Sequence, residues 1–104
     1  MENKTKAQTF IGFAIRAKKY RIGMNAVQTL KRIELMIICR SASENTKKQA
    51  TKVAKKYNCT LIESTVQDLE QITFTPNAKV MAITDKALAK AILENIASEF
   101  IVVD

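Results

Sequence analysis

The sequence predicts an α/β fold, a three-layer α-β-α sandwich around a small mixed sheet, on three observations. Residues 34–39, 59–62 and 79–84 form short apolar runs with the length of strands buried on both faces. Stretches with helical periodicity alternate with them, so helices are expected to cover both sides of the sheet. No linker, internal repeat or low-complexity segment interrupts the chain, and its 104 residues are read as one domain spanning 1–104.

Each element has its own signal. Over residues 4–18, Phe10, Phe13, Ala14 and Ala17 recur at helical spacing, Ile11 and Ile15 widen the stripe, and Lys4, Lys6 and Lys18 point to water. A basic helix with two Phe also fits a membrane surface, but a domain of this size needs its aromatic rings inside, and core packing is the reading adopted. Residues 19–22 read as a short extended link. Gly23 then supplies a turn, and a helix is expected to run to Arg32, with Asn25 in its first turn. Gln28, Thr29 and Arg32 share the face of Asn25, while Val27 and Leu30 take the other. A helix start of this kind favours anions, phosphate in particular.

After the strand at 34–39, Ser41 and Glu44 have capping-box spacing and are expected to open a helix with Ala50, Val53, Ala54 and Tyr57 inward. Its outer face carries Lys47, Lys48, Lys52, Lys55 and Lys56, which fits a solvated face and an interface equally well. Thr65 and Asp68 repeat the capping spacing ahead of a short helix ending near Ile72. Residues 73–77 form a loop holding the only proline, Pro76. Asp85 or Thr84 caps a last helix with Leu88, Ala91, Ile92 and Ile96 inward. The tail, 99–104, reads as one more short strand or a docked extension.

Charge is unevenly spread. Residues 1–56 hold 14 Lys or Arg against three acids, whereas residues 57–104 hold three Lys against seven acids, within a net charge of +7. One basic face is expected, suited to an acidic partner; a merely solubilising surface is the plainer reading. The chain has no histidine, so imidazole bases, Ser-His-Asp triads and His-ligated metals are absent. Two glycines leave no GxGxxG or Walker A cradle, so no cofactor and no nucleotide are expected. The acids stand singly, and nothing picks out a nucleophilic Lys or Cys; an enzyme is not expected. Cys39 and Cys59 show no CxxC spacing and read as buried, reduced thiols, which fits a cytoplasmic protein. No run approaches the ~18 apolar residues of a membrane span, and the six apolar residues 10–15 are too few for a signal-peptide core.

RNA is favoured over DNA. The basic first half, the segment from Gly23 to Arg32, and a loop tip of Phe74, Thr75 and Pro76 able to stack on an unpaired base fit recognition by shape and phosphate contacts. The first two helices lack the turn of a helix-turn-helix.

Over nearly its whole length the chain also resembles the ribosomal protein L-seven-Ae/L-thirty-e superfamily, and its small bacterial YlxQ-like branch in particular. The stretches that carry the resemblance are residues 11–19, Gly23, residues 35–39, residues 42–48, and 80–85 leading into 89–92. The resemblance implies an α-β-α sandwich that binds kink-turn or similar RNA. It also implies a Gly-x-Asn-Glu-x-x-Lys motif that contacts sheared G·A pairs and nearby phosphates, and an apolar loop that covers an extruded nucleotide. Gly23 and Asn25 match that motif, but Ala26 stands in place of Glu and Thr29 in place of Lys. The substitutions remove a guanine acceptor and a phosphate contact; one good base contact is worth ~1–3 kcal/mol.

The resulting expectation is a non-catalytic, cytoplasmic, monomeric protein that binds structured RNA, a kink-turn or ribosomal RNA, and not a membrane. Asn25 is expected to read a base edge, with the backbone at Gly23, Met24 and Asn25 and the side chains of Lys18, Arg21, Lys31 and Arg32 on phosphates. Gln28 flanks them, and Phe74, Thr75 and Pro76 meet an extruded base. The alternative, motivated by Ala26 and Thr29, is a protein-interaction module that has lost kink-turn specificity.

Overall fold

Strands β2 (Leu35–Ile38) and β4 (Val80–Ile83) are buried at every residue, which places them at the centre of the sheet. The computed structural model describes residues 5–103. Around the central pair lie β1 (Tyr20–Ile22), β3 (Thr60–Ser64) and β5 (Phe100–Val103), in the order β1-β4-β2-β3-β5. β4 is antiparallel to both β1 and β2, β3 is parallel to β2, and β5 is antiparallel to β3. The sheet is therefore mixed. Helices α1 (Lys6–Arg16), α4 (Leu69–Thr73) and α5 (Lys86–Leu93) cover one face, and α2 (Met24–Gln28) and α3 (Glu44–Tyr57) cover the other. The expected three-layer sandwich is the observed one.

Side-chain alternation along the strands divides the apolar residues between two cores. Leu35, Ile37, Met81 and Ile83 face the α1/α4/α5 layer, while Met36, Ile38, Val80 and Ala82 face α2 and α3. A one-residue slip would exchange the two sets, so the register is strongly specified. Phe100, expected in the tail, is buried in the first core. Among the described residues, no helix is long and apolar enough to cross a membrane.

Several expected details are corrected. α1 buries Ala7, Ile11 and Ala14, while Phe13 and Ala17 are exposed. Phe10 and Ile15 are half-buried and pack against the same core. In α5 the buried residues are Ala89 and Ile92, Leu88 and Ala91 are only half-buried, and Ile96 lies past the end of the helix at Leu93. The helix at 41–57 is capped by Ser43, whose hydroxyl accepts from Thr46 N at 3.1 Å, not by Ser41. Ser41 instead accepts from Lys79 Nζ at 2.9 Å. α4 begins after Asp68, whose N–H donates to the Gln71 side chain at 3.0 Å; the Thr65 hydroxyl donates to the Ser98 carbonyl. Lys4 and Asp104 lie outside the described residues.

α2 departs most from expectation, ending at Gln28 and not at Arg32. Thr29 is β-branched, and its hydroxyl donates to the Ala26 carbonyl at 2.7 Å, competing with continued helix. The amides of Thr29 and Leu30 close tight turns onto Ala26 and Val27. Tyr57 of α3 then donates its hydroxyl to the Leu30 carbonyl at 2.5 Å and pins the turn.

Gly23 joins β1 to α2 at φ 98° and ψ 140°, a region other residues rarely adopt. A Cβ there meets nothing within 4 Å, so the constraint is purely one of backbone. Gly12, within α1, also has open space where a Cβ would stand, but no positive φ. Gly23→Ala is expected to lower stability by about 1–3 kcal/mol, and Gly12→Ala to raise it by about 0.5–1 kcal/mol. Urea unfolding of the two variants, with unchanged m-values, checks the pair.

Candidate nucleic-acid interface

The sequence-predicted site residues separate into two groups. The first gathers where β1, at the edge of the sheet, meets the loop leading into β4. Lys18, at the left-handed turn after α1 (φ 59°), and Arg21 and Thr75 line one shallow cleft of about 410 Å³ floored by Tyr20 and Ile22. Residues more than fifty positions apart are held together by the sheet. β1 pairs with β4 from Tyr20 opposite Ile83 to Ile22 opposite Met81, and the Gly23 N–H donates to the Val80 carbonyl at 2.9 Å. That bond fixes the start of α2 beside the first residue of β4. Lys18 and Arg21 are exposed, as is Asn25 in the first turn of α2. Met24 is half-buried and packs on the core beneath α2, so its side chain supports the site from below.

The loop is built as tightly as the sheet it enters. Phe74 and Asn77 are both left-handed, at φ 58° and 59°. The Ala78 N–H donates to the Thr75 carbonyl at 3.3 Å, and the Asn77 N–H to Glu70 Oε2 at 2.9 Å. Ala78 is buried, which holds the base of the loop while Phe74 and Pro76 stay exposed at its tip.

The second group lies elsewhere. Gln28 borders a cleft with Lys52, Lys56 and Tyr57 of α3. Lys31 and Arg32, past the end of α2, border another with Lys56, Tyr57 and Asn58. Arg32 pairs with Glu34 at 3.6 Å. The early end of α2 thus removes Arg32 from the helical face it was expected to share with Asn25, and leaves Lys31 past the helix as well. Of the α3 lysines, Lys47 pairs with Glu63 at 3.4 Å, whereas Lys52 and Lys56 flank these clefts.

Residues outside the sequence-based set also border the first group. Arg16 sits 4.9 Å above the Phe13 ring and lines a second cleft, between α1 and α4, that Phe74 also lines. The run of Arg16, Lys18 and Lys19 was the available signal for it. At the end of the sheet where Gly23 lies, the Arg40 guanidinium donates to Asp68 at 2.9 Å, and its backbone N–H donates to Ser64 Oγ at 3.0 Å. This hydrogen bond from Arg40 holds the Asp68 carboxyl below the usual carboxylate range, with further help from the charges of Arg40 and Lys79. Arg40 is therefore tied to distant parts of the fold, whereas Arg21, which is exposed, donates from Nη1 to the carbonyl of its neighbour Tyr20 at 2.7 Å. Burial, aided by the charge of Glu34, pushes the Cys59 thiol up to about 11, so it stays protonated and poorly nucleophilic at neutral pH.

No protein-family model and no curated protein matches the chain. Among solved structures, the fold is similar to that of a Bacillus halodurans protein of unknown function. The TM-score is 0.73 with 20% identity, over 88% of this chain and 96% of that one. The likeness is one of fold alone.

A depressed carboxyl pKa stabilises the fold above its unfolded value and loses that contribution as pH falls through the folded value. Arg40→Ala is therefore expected to be less stable than the parent above about pH 4. The difference should narrow as pH falls through the folded value of Asp68. Unfolding midpoints at pH 7 and pH 2.5 check this.

Proposed function

We propose that the chain is a non-catalytic, cytoplasmic RNA-binding protein of the L-seven-Ae type, acting on kink-turn or similar structured RNA. The observation that carries the reading is the cleft shared by Lys18, Arg21 and Thr75, next to the bond between Gly23 and Val80. It sets two exposed cations, Lys18 and Arg21, against Thr75 of the anchored loop, next to the glycine-led turn that opens α2. Cations set beside polar and aromatic groups at a loop are what shape-led RNA recognition requires.

The two departures from the family motif touch one another, since the Thr29 hydroxyl is turned onto the Ala26 carbonyl. That hydroxyl is engaged in ending α2. Lys18 and Arg21 supply the positive charge that a lysine at position 29 would have brought, from the strand side of the same turn. Asn25 is left as the residue that reads a base edge. Lys31 and Arg32 play no part in this surface.

The test is binding to a kink-turn RNA beside the same RNA with its G·A pairs changed, at two salt concentrations. Each lost phosphate contact should flatten the salt dependence by about one unit of slope. The Lys18→Ala, Arg21→Ala double variant is therefore expected to flatten it by about two on both RNAs, whereas Lys31→Ala with Arg32→Ala leaves it unchanged. Asn25→Ala should weaken the kink-turn more than the altered RNA. Equal loss on both would remove Asn25 as a specificity residue.

A further inference from the structure

We propose that the outer face of α3 is a second surface, separate from that of Lys18 and Arg21, which holds the phosphate backbone of an RNA duplex without reading its bases. Lys48, Lys52, Lys55 and Lys56 are all exposed, and at 3.6 residues per turn they fall within about 100° of the helix circumference. They look away from Ala50, Val53 and Ala54, which α3 buries against the sheet. The row rises about 12 Å from Lys48 to Lys56, the length of roughly three or four successive phosphates on one duplex strand. Lys52 and Lys56 also border the cleft of Gln28 and Tyr57, so the basic face reaches the end of α2.

A merely solvated face does not account for this row. Solvated helix faces mix signs, with acids three or four residues from bases. From Asn45 to Tyr57 α3 has no acid, and Glu44 stands alone in its first turn. Lys47 is paired with Glu63, but among the described residues no ion pair reaches the four exposed lysines. Lys55 and Lys56 stand in the last turn, where the helix dipole favours cations. Lys48 and Lys52 have no such reason. Lys52 meets like charge at Lys48, four residues before it, and at Lys55 and Lys56, three and four after it, which weakens the helix. A polyanion laid along the row turns that repulsion into attraction.

The composition of the face selects the partner. The large apolar side chains exposed among the described residues are Phe13, Val66, Phe74, Ile101 and Val102, and all lie outside α2 and α3. Protein partners are held by aromatic and apolar anchors at the centre of an interface. Nucleic-acid interfaces are more polar and far more positive. Four cations without an anchor suit a phosphate backbone, and lysine, a point charge on a flexible stem, contacts phosphate without fixing a base edge. α3 packs on β2 and β3, and β4 separates both from the β1 edge where Arg21 stands. One RNA seated at Lys18 and Arg21 therefore leaves the α3 row to a second segment.

The experiment measures binding of the full chain to a plain RNA duplex of about 16 base pairs, without loop or bulge, at about 50 and 200 mM salt. Three lost phosphate contacts flatten the salt dependence by about three units of slope. The triple variant Lys48→Gln, Lys52→Gln, Lys55→Gln is therefore expected to bind the duplex about 40-fold more weakly at the lower salt, with the gap nearly closed at the higher. Its thermal midpoint at low salt should be no lower than the parent's, because like charges have been removed. Lys18→Ala with Arg21→Ala should leave duplex binding within about threefold. Duplex binding that survives the three glutamines would overturn the proposal, as would equal loss in the Lys18 and Arg21 pair, which would mean one surface for both. Polyglutamate of equal charge competing as well as the duplex would also overturn it, in favour of an acidic protein. If the α3 lysines carry duplex binding while the kink-turn RNA gains nothing over its altered form, the kink-turn reading fails and this surface stands.

Discussion

The hydrogen bond from the Gly23 N–H to the Val80 carbonyl is the point on which the candidate interface depends. β4 is buried at every residue and antiparallel to both its neighbours, so its position is set by two ladders and two cores at once. Whatever enters β4, and whatever leaves β1, inherits that position. The loop at 74–79 and the turn at Gly23 are therefore neighbours because β4 is rigid. Surface chemistry did not draw them together. A flexible arrangement of the same cations would lose more entropy on meeting a phosphate backbone.

The two faces of the sheet divide the core, but exposed cations lie on both. On the α1 side, Arg16, Lys18 and Arg21 are exposed near the loop tip. On the α3 side, Lys47 and Arg32 are answered by Glu63 and Glu34. Surface pairs of this kind contribute little stability, but they lower the local potential. Lys48, Lys52, Lys55 and Lys56 of α3 are exposed too, so the charge of the first half of the chain forms two basic regions, the strip beside the loop and the outer face of α3.

The architecture was legible because buried strands leave a strong mark: the runs at 34–39 and 79–84 are apolar on both faces, and little else reads that way. Of the two caps the sequence offers, Asp85 and Thr84, it is Asp85 that acts, accepting from Leu88 N at 2.9 Å. Ser41 and Thr65 misled because capping spacing is local, while their hydroxyls are used for tertiary bonds to Lys79 and Ser98. The end of α2 was hidden for a similar reason. A continuous polar-apolar pattern runs to Arg32, and only the Thr29 hydroxyl and the distant Tyr57 stop the helix. Of the candidate site, the meeting of Lys18 and Arg21 with Thr75 needs strand order, which no local pattern encodes. The cleft over Gly12 needs the packing of α1 against α4, which no local pattern encodes either.

The most direct test of this account is a titration of the isotope-labelled protein with kink-turn RNA, followed by backbone amide chemical shifts. The account predicts that the largest changes fall on residues 16–25 and 73–79, two segments distant in sequence and joined through β4. Changes concentrated on residues 31–34 and 47–57 would contradict it, placing the RNA on the lysine face of α3.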